Sequence, residues 1–122
     1  MIVFRLDGDI SAPGAARAAV RHALSRRSAA LCDVAVLLAD EIVTNALVHA
    51  GGEIEVKLED SHDSIRVEVS DSSPAAPLLG SPKPQDERGR GLLIVDSLAS
   101  SWGVVQRAGG KSVWFQLDVG DD

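Results

Sequence analysis

Glu41, Asn45 and His49 stand four residues apart in the run Asp40-Glu41-Ile42-Val43-Thr44-Asn45-Ala46-Leu47-Val48-His49-Ala50. On a helix such positions stack along one face. A carboxylate, a carboxamide and an imidazole therefore line a single stripe, with apolar Leu38, Ile42 and Ala46 beside it. Polar groups bordering a buried seam need partners, and a bound ligand can supply them. The amide oxygen of Asn45 suits a hard cation such as Mg²⁺ that keeps most of its waters. Glu41, one turn earlier, can take a proton from a hydroxyl or a water. The plain alternative is an ordinary polar helix face, because helical spacing arises readily by chance.

Two further patches carry chemistry. Asp71-Ser72-Ser73-Pro74 follows an alternating run, and a carboxylate at a strand end can accept a hydrogen bond from a purine amino group; a simple Asx or Ser turn is the competing reading. Glu87-Arg88-Gly89-Arg90-Gly91-Leu92-Leu93-Ile94-Val95 places two glycines before a helical pattern. Backbone N–H groups there can crowd an anion, the helix N-terminus adds partial positive charge, and Arg88 and Arg90 can add charge-assisted bonds to phosphate. Gly110-Lys111-Ser112 has the closing triplet of a P-loop but lacks its upstream glycines and falls in a hairpin. The three histidines, His22, His49 and His62, and the single cysteine, Cys32, do not form a metal-ligand spacing, and no Ser/His/Asp triad emerges.

The elements that must position these groups alternate along the chain. Ile2 to Leu6 reads as a first strand at a sheet edge. Ser11 and Pro13 read as N-cap and early-turn proline of a helix with Ala16, Ala19, Val20, Ala23 and Leu24 at helical spacing. Arg17, Arg21, Arg26 and Arg27 read as its solvated face. A second helix runs from about Asp33 to Ala50 and stops at Gly51-Gly52. Ile54-Val56-Leu58 and Ile65-Val67-Val69 form a hairpin joined by Asp60 to Ser64. Pro74 to Gly91 holds four of the five prolines and reads as a functional lid. A short helix follows Gly91, then a last hairpin of Val104-Val105 and Val113-Phe115-Leu117-Val119 turning at Ala108-Gly109-Gly110. The expected fold class is α+β: a two-layer α/β sandwich whose mixed, mostly antiparallel sheet is covered on one face by helices.

Composition bounds the function. At 122 residues the chain is expected to form one domain, residues 1–122, with one core. Aromatics are only 3% of residues, so that core must be aliphatic. The net charge of −6 argues against direct nucleic-acid binding, which needs a basic patch, but leaves ATP open because local donors matter more there. No apolar run approaches roughly 18 residues, so no membrane span is expected. The lone cysteine and the strand-like N-terminus point to a cytoplasmic protein.

The order of the patches adds what each lacks alone. A helix with Glu41-Ile42-Val43-Thr44-Asn45-Ala46 and His49-Ala50, then Asp71-Ser72-Ser73-Pro74, then Gly89-Arg90-Gly91-Leu92 with Val95, Trp102-Gly103-Val104 and Gly110-Lys111-Ser112-Val113-Trp114-Phe115, resembles the GHKL ATPase superfamily. More narrowly, the chain resembles the histidine-kinase-like ATPases of anti-sigma-factor serine/threonine kinases (RsbW-type), in the short version abundant in actinobacteria. The resemblance spans about Met1 to Val119. It implies the Bergerat-type ATP-binding fold, with ATP between helices and a lid. It implies that Asn45 coordinates the Mg²⁺ bridging the phosphates, that Glu41 is the general base and that Asp71 binds the adenine amino group. It further implies that Gly89 and Gly91, with Arg90 and Leu92 in the same motif, bring backbone to the phosphates, and that Ser112 sets a hydroxyl near the adenine. Ser73 stands where the superfamily has the first glycine of Asp-x-Gly, and Pro74 stiffens the loop that follows.

Two functional classes follow from this resemblance. One is an anti-sigma factor that phosphorylates a small antagonist protein and binds a sigma factor, by γ-phosphoryl transfer dominated by positioning and charge stabilisation. The other is a nucleotide-gated binding module that switches partners without transfer, motivated by Ser73-Pro74. A bare partner-binding scaffold is the third. Family members often pair as homodimers, with the N-terminal strand and first helix as candidate faces here.

Overall fold

The computed structural model describes residues 1–49, 52–71, 87–107 and 109–119, with backbone alone at 49, 87–91 and 107. Alternation of apolar residues generates five strands: β1 (Ile2–Leu6), β2 (Ile54–Asp60), β3 (Ser64–Asp71), β4 (Ser101–Arg107) and β5 (Gly110–Asp118). They form one sheet in the order β1-β2-β3-β5-β4, and all four pairings are antiparallel, so the mostly antiparallel sheet expected from the hairpins is antiparallel throughout the described strands. Ile54, Val56 and Leu58 of β2, Ile65, Val67 and Val69 of β3, and Val113, Phe115 and Leu117 of β5 are buried on one face. Side chains alternate across a strand, so Glu55, Lys57, Arg66, Glu68, Trp114 and Gln116 occupy the other face. There the Arg66 guanidinium lies 4.0 Å above the Trp114 ring, a favourable cation–π geometry. Gly103 sits opposite Trp114, and a Cβ on it would come within 3.0 Å of the indole nitrogen.

Three helices cover the apolar face: α1 (Ala12–Ala23), α2 (Ala29–His49) and α3 (Glu87–Leu98). In α1, Ala12, Ala16 and Val20 repeat at i, i+4, and Leu24 extends the buried row. α2 packs against α1, α3 and the sheet, and buries Cys32, Ala35, Val36, Leu38, Ala39, Ile42, Val43 and Ala46. Burial on several sides at once explains why its sequence is apolar almost all round. That is also why the half-buried Asp40, Glu41 and Asn45 in its second half stand out.

Four local expectations change. Ser11 does not cap α1 with its side chain. The Asp9 carboxylate instead accepts the Ser11 hydroxyl and its N–H, the latter at 2.9 Å, and these two donors hold Asp9 below the usual carboxylate range. α2 begins four residues earlier than expected, because Ser28 supplies the cap: its Oγ accepts the Leu31 N–H at 3.2 Å. Arg17, Arg21 and Arg27 are not simply solvated. Arg17 pairs with Asp40 at 2.7 Å and Arg21 with Asp33 at 3.1 Å, tying α1 to α2, while Arg27 reaches Asp60 at 2.6 Å and the carbonyl of Ser61. Finally, α3 starts at Glu87, so Gly89 and Gly91 lie inside its first turns instead of ahead of it. The rest of the expected lid, residues 74–86, is outside the described residues. Among the described residues no helix is long and apolar enough to cross a membrane.

Candidate nucleotide site

Glu41 and Asn45 lie one turn apart in the second half of α2, both half-buried. The Asn45 Oδ1 is buried and has no hydrogen-bond partner among the described residues. An acceptor left unsatisfied in the interior costs about 1–3 kcal/mol. It is a position built for something that donates or coordinates. Glu41 is pushed above its ordinary carboxylate value, first by loss of hydration and then by the negative charge of Asp40 beside it. A carboxylate so placed holds a proton more readily than a solvated one, which is the property a general base requires.

Topology brings the other groups to the same end of the molecule. α2 ends at His49, a few residues before β2 begins at Ile54. Ile54 pairs with Asp71, the last residue of β3. Asp71 is buried, with the helix-facing Val67 and Val69 on its own side of the strand. The hairpin from Arg107 to Gly110 closes there too, since Lys111 pairs with both Asp71 and Gln106. β4 begins at the opposite end, where Ser101 pairs with Gln116. The last turn of α3 is fastened at that far end: Asp96 accepts the Trp102 indole N–H at 2.8 Å, and the Ser100 N–H bonds the Gln116 carbonyl at 2.8 Å. α3 packs on α2 and is about 18 Å long by helical rise.

The residues singled out in the sequence fall into three groups. Glu41 and Asn45 lie in the half of α2 that leads toward β2, whose first residue pairs with Asp71. In a helix beginning at Glu87, the N–H of Gly89 belongs to the unbonded first turn, whereas the N–H of Gly91 enters the i→i−4 ladder. Gly89 is therefore the glycine with a backbone donor to offer. Leu92 packs, partly buried, against the core. Ser73 and the side chain of Arg90 are outside the described residues. Ser112 is placed apart from Asp71. It lies on the opposite face of the sheet from Asp71, fully buried, with its Oγ 2.8 Å from the Ser70 Oγ. The β5 residue on the Asp71 face is Lys111, in phase with Val113, Phe115 and Leu117. The alternation of that strand was the signal that could have found it.

Among the described residues, no three His, Cys, Asp or Glu side chains gather as a metal site. A cation here would rest on one amide oxygen completed by phosphate oxygens and water, which is how Mg²⁺ is commonly held. The orphaned Asn45 Oδ1 fits that arrangement.

Replacing Glu41 by Gln tests its environment directly. Because the native carboxyl is raised above the ordinary value of 4.5, the native state binds the proton more tightly than the unfolded chain. Ionisation therefore costs stability as pH rises through the window above 4.5, and the cost persists at neutral pH. Glu41→Gln is expected to melt at or above the parent at pH 7. The gap should close on acidification below 4.5. Thermal melts across pH check this, and a variant less stable at neutral pH would contradict it.

Comparison with known proteins bears on the family and the fold. A family profile described as histidine kinase-like ATPase domain matches residues 9–117. Among solved structures, the histidine kinase domain from the blue-light activated histidine kinase of Erythrobacter litoralis EL346 superposes with a TM-score of 0.58 at 20% identity. That match covers 88% of this chain, which spans only 63% of that domain. The nucleotide-free catalytic domain of histidine kinase ThkA gives a TM-score of 0.56 at 17% identity, with 98% of each chain covered. Identities this low establish likeness of fold. A search of curated proteins finds no match.

Proposed function

The chain belongs to the histidine kinase-like ATPase family, an ATP-binding fold, and from that premise we propose that it is a cytoplasmic anti-sigma factor with serine/threonine kinase activity. Its substrate in this reading is a small antagonist protein bearing a Ser or Thr hydroxyl. The observation that carries the proposal is the buried, unpartnered Asn45 Oδ1 one turn from a desolvated Glu41. Asn45 would hold Mg²⁺, which when bound offsets the charge of the phosphates. Asp71 would accept the adenine amino group, and the N–H groups of the first turn of α3 that have no intrahelical partner, including Gly89, would face phosphate oxygens. Glu41 orients the substrate hydroxyl and takes its proton. The hydroxyl oxygen bonds to the γ-phosphorus as the bond from that phosphorus to the bridging oxygen breaks, and ADP leaves.

Ser73-Pro74 in place of a glycine motif favours a second reading, a nucleotide-gated partner switch without transfer. One experiment separates them. Proteins retained by the chain with and without Mg-ATP are identified and incubated with ATP labelled at the γ-phosphate. Label on the retained protein, lost at least about a hundredfold in Glu41→Gln while Mg-ATP binding persists, supports the kinase. Tight Mg-dependent binding with no transfer supports the switch. Undisturbed transfer by Glu41→Gln would remove Glu41 from its role.

A further inference from the structure

Lys111 has no assigned role, yet it occupies the position in β5 directly opposite Asp71. Directly opposed residues in an antiparallel pair have Cβ atoms about 4.5–5.5 Å apart on one face. Asp71 is buried and Lys111 is half-buried, and Lys111 has no ion pair among the described residues. An acceptor-only side chain and a donor-only side chain thus stand at directly opposed positions of the two strands. The Watson–Crick edge of adenine presents the complementary order: a 6-amino donor next to the N1 acceptor. We propose that Lys111 is a specificity-determining residue that donates to N1 of adenine while Asp71 accepts from its 6-amino group.

This inference rests on Asp71 facing the base, and adds to it a second, independently removable contact. A lone carboxylate would recognise any amino-bearing ring, whereas the acceptor–donor pair reads two adjacent atoms. The four-carbon stem of Lys111 spans the offset between the strand and a base lying above Asp71, and its alkyl part covers apolar ring surface. Lys111 lies in the second position of β5, where it also pairs with Gln106 of β4. Hydrogen bonds to charged groups are worth enough to read as roughly tenfold or more in affinity.

The test is calorimetric and needs no turnover. The parent and Lys111→Met are titrated in Mg²⁺ with ATP, with the analogue whose N1 is replaced by CH, and with the analogue lacking the 6-amino group. The parent is expected to lose about tenfold or more on each analogue. Lys111→Met, which keeps the length of the stem, is expected to bind ATP and the N1-to-CH analogue equally while still rejecting the ring without the amino group. A parent that binds the N1-to-CH analogue as tightly as ATP overturns the role of Lys111 even if the variant does not fold. A parent that ignores the missing amino group overturns the role of Asp71, and a parent that binds no ATP removes the nucleotide site itself.

Discussion

Asn45→Ala is expected to weaken Mg-ATP binding by about ten- to a hundredfold, the equivalent of losing one charge-assisted contact, while the ligand-free protein melts no lower than the parent. The two halves of this expectation come from one observation. The Asn45 Oδ1 is buried without a partner among the described residues, so in the ligand-free state it contributes desolvation cost and no hydrogen bond. Alanine removes that cost and is the better helix former in the interior of α2. An ordinary buried amide behaves in the opposite way: its partners are left stranded, and stability falls. Parallel melts and Mg-ATP titrations therefore distinguish a residue kept for a ligand from one kept for the fold. Loss of stability with affinity retained would make Asn45 a structural residue. Asn45→Asp sharpens the result, because it retains an oxygen for the cation but introduces a charge on a helix that already carries Glu41 one turn away.

How much of this was legible beforehand depended on whether the signal was local. Helical spacing placed Glu41 and Asn45 on one stripe, and the structure keeps them one turn apart on a helix buried on several sides. Strand alternation predicted β1, β2, β3 and β5, because a two-residue period needs no distant information. The same rule was set aside at Ser112. A hydroxyl is attractive near a base, but Ser112 is out of phase with Val113's neighbours Phe115 and Leu117 and faces Ser70 instead. Lys111, in phase, was passed over as part of a rejected P-loop triplet. The start of α3 was misplaced because glycine lowers helix propensity by about 1 kcal/mol, and packing of α3 against α2 overrides that penalty at Gly89 and Gly91. The ion pairs of Arg17 with Asp40 and Arg21 with Asp33 were beyond reach for a different reason. They join two helices whose relative rotation is set by the packing of their buried faces, and no window of sequence encodes that rotation.

The largest effect on stability is expected at a residue with no functional group. Gly8, in the loop after β1, lies against Gly52, which leads into β2. A Cβ added to Gly8 would fall 1.9 Å from the Gly52 carbonyl oxygen and 2.5 Å from its nitrogen. Both obstacles are backbone, so neither can rotate away. The loop around Gly8 is also pinned: the Asp9 N–H bonds the Asp7 carbonyl at 2.8 Å, and Asp9 holds Ser11. Gly8→Ala must therefore part the two chains, at about 3 kcal/mol or more, and lower the melting temperature by on the order of 10 °C. Gly52 gives the control. Its φ of +120° is a backbone state that side chains disfavour, but a Cβ there meets nothing within 4 Å. Gly52→Ala is thus expected to cost only the conformational strain, about 1–3 kcal/mol. Because Gly52 follows the helix that carries Asn45, Gly8→Ala should also weaken Mg-ATP binding at temperatures where the protein remains folded, through displacement of α2 and not through any contact with the nucleotide. A Gly8→Ala protein that melts within a few degrees of the parent would mean that the two loops separate freely, and that the far end of α2 is held by its packing on α1 and α3 alone.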